Sequence, residues 1–204
     1  AEAVADDPRI QVSCLEAAIG TRYTATRAEA RQHKIRYLPE EPLRNACAPK
    51  MSVADNLAFK MFDVRRNGRP AFWCSRKDMA RNADRLIAEF NVKTTSPDAR
   101  IASLSGGNVQ RAVLVRELTG EVNALIISNP CFGLDFGAVS AIRDRIIEAR
   151  NNGTAVLLIS ENLDEIMELS DRILVMSEGR IAFETTAAAA DLTEIGQHMA
   201  GHAA

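Results

Sequence analysis

From residue 124 onward, short apolar runs alternate with helical stripes, and that alternation leaves few folds open. ALIIS (124 to 128) is a continuous apolar run. GAVSAIRDRIIEARNNG (137 to 153) follows, with Val139, Ile142, Ile146 and Ile147 at the spacing of one helix face and an end near Gly153. TAVLLIS (154 to 160), the helical ENLDEIMELS (161 to 170) and RILVMSEGRIAFE (172 to 184), two strands around a Ser-Glu-Gly turn, complete the series. Strands buried on both faces and separated by helices predict an α/β domain built on a parallel sheet. The first half is less regular. RIQVSCL (9 to 15) and KIRYL (34 to 38) read as strands, and TRAE (26 to 29) as a capping box that opens a short helix. A loop with Pro39, Pro42 and Pro49 then leads to a second helix start at Ser52-Val-Ala-Asp55. SRKDMARNADRLIAEF (75 to 90) predicts a helix with Met79, Leu86, Ile87 and Phe90 inward and a solvated charged face, so residues 51 to 103 read as a mainly helical subdomain within one domain fragment spanning 1 to 204.

Composition removes several classes of function. The 204 residues carry a formal net charge of −2 with acids and bases mixed, which offers no basic stripe for nucleic acid. Cys14, Cys47, Cys74 and Cys131 have no CxxC or His-coupled spacing, so the reading is reduced thiols, with neither a disulfide framework nor a zinc site. His33, His198 and His202 are dispersed, the last two near the tail, and solvent exposure is expected of them before catalysis or metal binding. Apolar stretches such as AVLLI (155 to 159) fall far short of a membrane span. The first residue is Ala1 and not a methionine, which points to a trimmed polypeptide.

Residues 104 to 110, LSGGNVQ, pose the sharpest question, because two glycines are poor residues with which to start a helix. A helix start carries unpaired N–H groups and partial positive charge, and glycine lets an anion approach without meeting a Cβ. Ser105 then either caps the helix or donates its hydroxyl to a phosphate oxygen, and SGG alone does not decide between these.

The order of motifs does. LSGGN, the apolar strand with NPCFGLD (129 to 135) after it, and LLISENLDEI (157 to 166) resemble the signature, the Walker B strand with its D-loop, and the switch region of ABC transporter nucleotide-binding domains. YLPEEP (37 to 42) followed by MSVADNLAF (51 to 59) is similar to the Q-loop region, and FNVKTTSPDARIASLSGGN (90 to 108) to importers of simple sugars and nucleosides, whose ATPase subunits carry two such domains per chain. The resemblance covers residues from about 26 to 200 and is to the second, C-terminal domain. It implies a P-loop NTPase-like parallel sheet with a helical subdomain, ATP and magnesium as cofactors, and a peripheral place on the cytoplasmic face of the membrane. The implied partners are a second nucleotide-binding domain, two membrane permeases and, indirectly, an extracytoplasmic solute-binding protein.

Departures from the pattern set the finer expectation. No GxxxxGK[ST] occurs; in the family it would precede Ala1, and AEAVA (1 to 5) resembles the end of the helix that follows it, as in a truncated domain. Ser128 stands where the resemblance places the magnesium-binding aspartate, Asn129 where it places the carboxylate that polarises water, and Glu161 where it places the switch histidine. A neutral hydroxyl holds a hard dication poorly, and an amide cannot accept the proton of the attacking water. Glu161 would bring a like charge toward a γ-phosphate, a repulsion of about 4 kcal/mol at about 4 Å and an effective dielectric of about 20. The expected site is therefore hydrolytically degenerate, while the signature is intact. In these dimers each ATP lies between one domain's phosphate loop and the other's signature, so Ser105, Gly106 and Gly107 are implied to contact a γ-phosphate held by the partner, with Asn108 and Gln110 nearby. Asp135 is implied at the dimer seam. Glu40, at the Q-loop glutamine position, is open between a role toward nucleotide and permease and simple solvation, and Trp73 between permease docking and packing. Two other classes stay in view: a DNA-maintenance ATPase head, disfavoured by the missing basic surface and heptads, and a nucleotide-independent pseudo-ATPase scaffold, which has no need of glycines at a helix start.

Overall fold

The structure, a computed structural model, describes residues 30, 32–59 and 76–201. The strand expected at 9 to 15, the capping box at 26 to 29, Cys14, Trp73, Cys74 and His202 lie outside the described residues. The chain divides into two compact units, one up to Leu157 and one from Leu158 on.

In the first unit, strand β1 (Ile35–Leu38) pairs in parallel with β2 (Ala124–Ser128), Leu38 opposite Ile127, and β3 (Ala155–Ile159) lies on the other side of β2. Leu38, Leu125 and Ile127 are fully buried. Burial on both faces, expected of every strand, is not found throughout: among the described residues Tyr37, Leu157 and Ile159 each keep about half of their surface.

The Pro-rich loop holds a helix that sequence reading missed, α1 (Pro42–Asn45), where Pro42 at the first position supplies the helical φ and lacks only an N–H that would be unbonded anyway. The helix start expected at Ser52 forms, and it does so through a capping box: the Ser52 hydroxyl accepts from the Asp55 amide at 3.0 Å, and the Asp55 carboxylate accepts from the Ser52 backbone N–H at 3.3 Å, opening α2 (Val53–Ala58). Helix α3 (Arg76–Glu89) buries Ala83 and Leu86 and half-buries Met79 and Ile87, with charged residues on its open face. A 3-10 turn (Ile101–Ser103) leads into α4 (Gly106–Leu118).

Helix α4 departs from the amphipathic pattern. Every residue from Ala112 to Glu117 is buried, Arg116 and Glu117 included, because α4 packs against α1, α2, β1 and the next helix, α5 (Phe136–Asn151). The inward stripe of α5 is Ala138, Ile142, Ile146 and Ala149, and Gly153 at φ 91° follows its end in the left-handed region that glycine tolerates.

The second unit contains α6 (Leu163–Leu169), β4 (Arg172–Ser177), β5 (Arg180–Thr186), a 3-10 turn (Ala187–Ala189) and α7 (Leu192–Met199). β4 and β5 form an antiparallel hairpin whose two-residue turn, Glu178-Gly179, has positive φ at both positions, the twist a tight hairpin favours. Ile173, Val175 and Ile195 form its core. His198 corrects the expectation of solvent exposure: its ring stacks on Phe183 with centroids 4.4 Å apart, and its Nδ1 is buried.

Candidate functional site

Apart from Glu161, the described residues singled out from the sequence fall at two places in the first unit. The first is the start of α4. Ser105 takes the N-cap backbone conformation, yet its side chain accepts no cap bond from the helix; its Oγ accepts instead from the Asn108 side-chain amide at 2.8 Å. Asn108 Oδ1 in turn accepts from the Lys93 backbone N–H at 2.7 Å, which ties the helix start to the loop after α3. Ser105 and Gly106 are exposed, Gly107 and Asn108 half-buried.

The two glycines have different reasons to be glycine. A Cβ on Gly107 would stand 3.3 Å from the Ala138 Cβ and 3.5 Å from Leu134 Cδ2, so this position is fixed by the close approach of α5. A Cβ on Gly106 would meet nothing within 4 Å. The packing of the described chain therefore accounts for Gly107 and makes no demand on Gly106. Gly107→Val should cost about 1–3 kcal/mol of overpacking and lower the melting temperature by several degrees. Gly106→Ala should fold at least as well as the parent, since alanine is the better helix former. Thermal melts of the two variants check the contrast.

Gln110 lies deeper than the sequence pattern suggested. It is buried, and its amide donates to the Pro130 carbonyl at 2.8 Å, so it pins the segment after β2 onto α4 and does not stand at the open face of the helix start. Asp135, which ends that segment, caps α5 by accepting from the Ala138 amide at 3.0 Å and is itself exposed.

The second place is the pair of loops at the carboxyl ends of β1 and β2, where open α/β sheets bind ligands. The register that sets Leu38 opposite Ile127 carries Glu40 to Asn129 two residues further on, and the Asn129 amide donates to the Glu40 carboxylate. Asn129 sits at φ 44°, a left-handed conformation that asparagine tolerates better than most residues. Asn45 donates to the Glu40 carbonyl at 2.7 Å, so α1 holds the loop in place. An acid and an amide thus face each other across the two loops, the acid after β1 and the amide after β2. Sequence reading found both positions but not their contact, which only the parallel register supplies. Ser128, the last residue of β2, is half-buried beside them. Glu161 lies in the second unit, exposed, directly before Asn162, whose side chain caps α6 by accepting from Glu165 N.

Two features lie apart from these loops. A cavity of about 490 Å³ at the opposite, amino-terminal ends of the strands is lined by charged residues that pair with one another, Lys34 with Glu121 and Arg145 with Glu148; its Lys34 partner holds the Glu121 carboxyl below its ordinary range. Near α1, burial pushes the Cys47 thiol up to about 11 in spite of the nearby Arg116 charge, so Cys47 is not a poised nucleophile.

A parallel sheet flanked by helices, with a glycine-opened helix start and a pair of facing loops at the strand ends, is the architecture of an ATP-binding cassette, and solved cassettes match it. The cassette MJ0796, in a dimeric post-hydrolysis state bound to ADP and phosphate, superposes with a TM-score of 0.66 at 16% identity over 80% of this chain and 68% of that chain. An ATP-binding subunit of an ABC transporter gives 0.64 at 21% identity over 90% and 72%.

In sequence the homologues are ATP-binding proteins of sugar and nucleoside import systems. The glucose import ATP-binding protein TsgD13 of Haloferax volcanii is 38% identical over 169 residues, 82% of this chain and 30% of that protein. The nucleoside import ATP-binding protein NupA of Lactococcus lactis is 35% identical over 83% of this chain and 33% of its own length. The guanosine import ATP-binding protein NupO of Bacillus subtilis is 42% identical over 124 residues, 61% of this chain and 24% of that protein. The chain thus spans about a third or less of the length of these relatives. No protein-family model matches it.

Proposed function

We propose that this chain is the second, C-terminal nucleotide-binding domain of an ABC importer for simple sugars or nucleosides, and that it lends its signature helix start to ATP held by a partner cassette while its own site hydrolyses none. The observation that carries the trans role is the start of α4. Gly106 is bare of any Cβ for no reason internal to the described chain, and the Ser105 hydroxyl is exposed and spends nothing on capping its own helix. An incoming phosphate would find amide N–H groups, the positive end of a helix and a hydroxyl together.

Degeneracy of the chain's own site is supported by its donor set. At the end of β2 stand a hydroxyl, Ser128, and an amide, Asn129, whose N–H is engaged by Glu40. A hydroxyl and an amide hold a hard dication poorly, and the carboxylate that faces them, Glu40, accepts the Asn129 amide N–H, so the set does not fit a magnesium ion and no step through a metal is assigned to it. ATP and magnesium are instead held mainly by the partner domain, two permeases receive the motion of closure, and an extracytoplasmic solute-binding protein delivers the solute. The chain sits peripherally on the cytoplasmic face of the membrane; among the described residues no helix is long and apolar enough to cross one.

The test is proximity under trapped nucleotide. In the assembled transporter, a cysteine at Ser105 and a cysteine in the partner's phosphate loop should form a cross-link that requires bound ATP. Failure of that link while ATP is demonstrably bound sinks the trans role, and turnover at a composite site built on this domain's own strand ends sinks the degeneracy.

A further inference from the structure

The cavity of about 490 Å³ at the amino-terminal ends of the strands has walls that are already fixed. Lys34, Asn123 and Thr154, which line it, stand directly before β1, β2 and β3. The Asn123 N–H donates to the Lys34 carbonyl at 3.2 Å and its carbonyl accepts from the Ala155 N–H at 2.9 Å, so its side chain springs from a backbone held on both sides. The Arg145 guanidinium is held three ways: Nη1 lies 2.6 Å from Glu148 Oε2, Nη2 donates to the Glu89 carbonyl at 3.1 Å, and its carbon sits 4.4 Å from the centre of the Phe90 ring. Two polar groups of the lining remain unspent. The side-chain amides of Asn123 and Asn152 make no hydrogen bond among the described residues, although the Asn152 N–H donates to the Glu148 carbonyl at 3.0 Å and fixes its place. Each amide offers a carbonyl acceptor and two N–H donors. Glu121 and Glu148 meet Lys34 and Arg145 through one oxygen apiece and keep the other as an acceptor.

We propose that this cavity binds a small uncharged polyhydroxyl molecule, of the size of a monosaccharide or a nucleoside, at a site separate from the loops that carry Glu40 and Asn129. Charge excludes the ionic classes, because every charge in the lining has its counterion. Lys34 is matched by Glu121 and Arg145 by Glu148, so a phosphate finds no free cation and meets carboxylates instead. Glu89 is matched in turn by Arg85 at 2.6 Å, so an organic cation finds no unbalanced acid. An apolar ligand would strip water from ion pairs and amides and return no hydrogen bond. A hydroxyl both donates and accepts, so adjacent hydroxyls can meet a spare carboxylate oxygen and either end of an amide. The volume lies within the range of about 300–1,000 Å³ in which small ligands are held.

The experiment titrates the full chain, without membrane partners, with D-ribose, ribose 5-phosphate and 1,4-diaminobutane, and reads binding by saturation-transfer NMR. D-ribose should bind saturably in the millimolar range expected of a small polar ligand, and the phosphate ester about tenfold more weakly or worse. The diamine should show no saturable binding. Asn123→Leu and Asn152→Ala should each weaken ribose binding about three- to tenfold, the loss of one or two hydrogen bonds. Both variants should melt within about 2 °C of the parent, because neither amide is bonded in the free protein. Asn152→Ala, at an exposed position, keeps the test open if Asn123→Leu loses the fold. Absence of saturable ribose binding up to about 50 mM overturns the proposal. So does binding of the phosphate ester or the diamine as tight as that of ribose, or unchanged ribose affinity in either folded variant. The cavity shares no residue with the helix start of α4, so its failure leaves the trans role of Ser105 standing, and failure of that role leaves this site untouched.

Discussion

Ser105→Arg and Gly106→Asp should each abolish ATP hydrolysis by the assembled transporter while this cassette keeps its fold. The two substitutions act by different physics. Arginine at 105 is cationic and would attract phosphate, so any loss comes from bulk: its side chain fills the gap between the helix start and the partner's nucleotide and holds the domains apart. Aspartate at 106 is small but negative. At about 4 Å from a γ-phosphate and an effective dielectric of about 20, it opposes closure by about 4 kcal/mol, which is about a thousandfold in rate. Ser105→Ala removes one donor without bulk or charge and should cost less than either.

Local structure argues that the fold survives. Ser105 and Gly106 are exposed, and a side chain at 106 has open space before it. Because the Ser105 side chain makes no cap bond, its replacement loses only the bond from Asn108, at most about 0.5–1.5 kcal/mol at an exposed site where water takes over. Phosphate release measured on the reconstituted transporter, beside circular dichroism and melting of the same variants, checks both halves. Undiminished hydrolysis with a folded cassette rules out the trans role.

The elements that could be read in advance were those whose signal is local. β2 runs over the apolar ALIIS, a helix starts at Ser52, and the Glu178-Gly179 turn closes a hairpin because its two residues accept positive φ. What escaped depended on neighbours distant in sequence. A four-residue helix at Pro42 was hidden by a proline that reads as a loop former, and α4 showed an apolar stripe although every residue from Ala112 to Glu117 is buried, the polar pair Arg116 and Glu117 included. At the site, the positions of Ser105, Asn129 and Glu40 were legible, but not what they touch. The Asn129–Glu40 bond arises from strand register, the burial of Gln110 from the carbonyl of Pro130, and the different reasons for Gly106 and Gly107 from the approach of α5 to one and not the other.

Arg116→Ala should be the most destabilising single change in the described chain, at about 3–5 kcal/mol. Arg116 and Glu117 are 5% and 1% exposed, with Nε 2.9 Å from Oε1. The guanidinium also donates to the Ala46 carbonyl at 2.8 Å, after α1, and to the Asn56 carbonyl at 3.4 Å, in α2, and it lies 5.5 Å from the centre of the Phe59 ring. Truncation removes the cation that faces a buried carboxylate, leaves those carbonyls without this donor and opens a cavity, against a total stability that for most domains is only about 5–15 kcal/mol. The desolvation of a buried ion pair roughly cancels its attraction, so the stability lies in keeping the pair matched and not in having a pair at all. The double variant Arg116→Met/Glu117→Leu should therefore recover most of the loss in urea unfolding. It should not recover full transport function, because the bonds to Ala46 and Asn56 are also what fix the far end of the helix whose first residues present Ser105 and Gly106. A stable double variant with wild-type hydrolysis would mean that the signature is positioned by α5 and the loop at Lys93 alone, and that the buried guanidinium serves stability only.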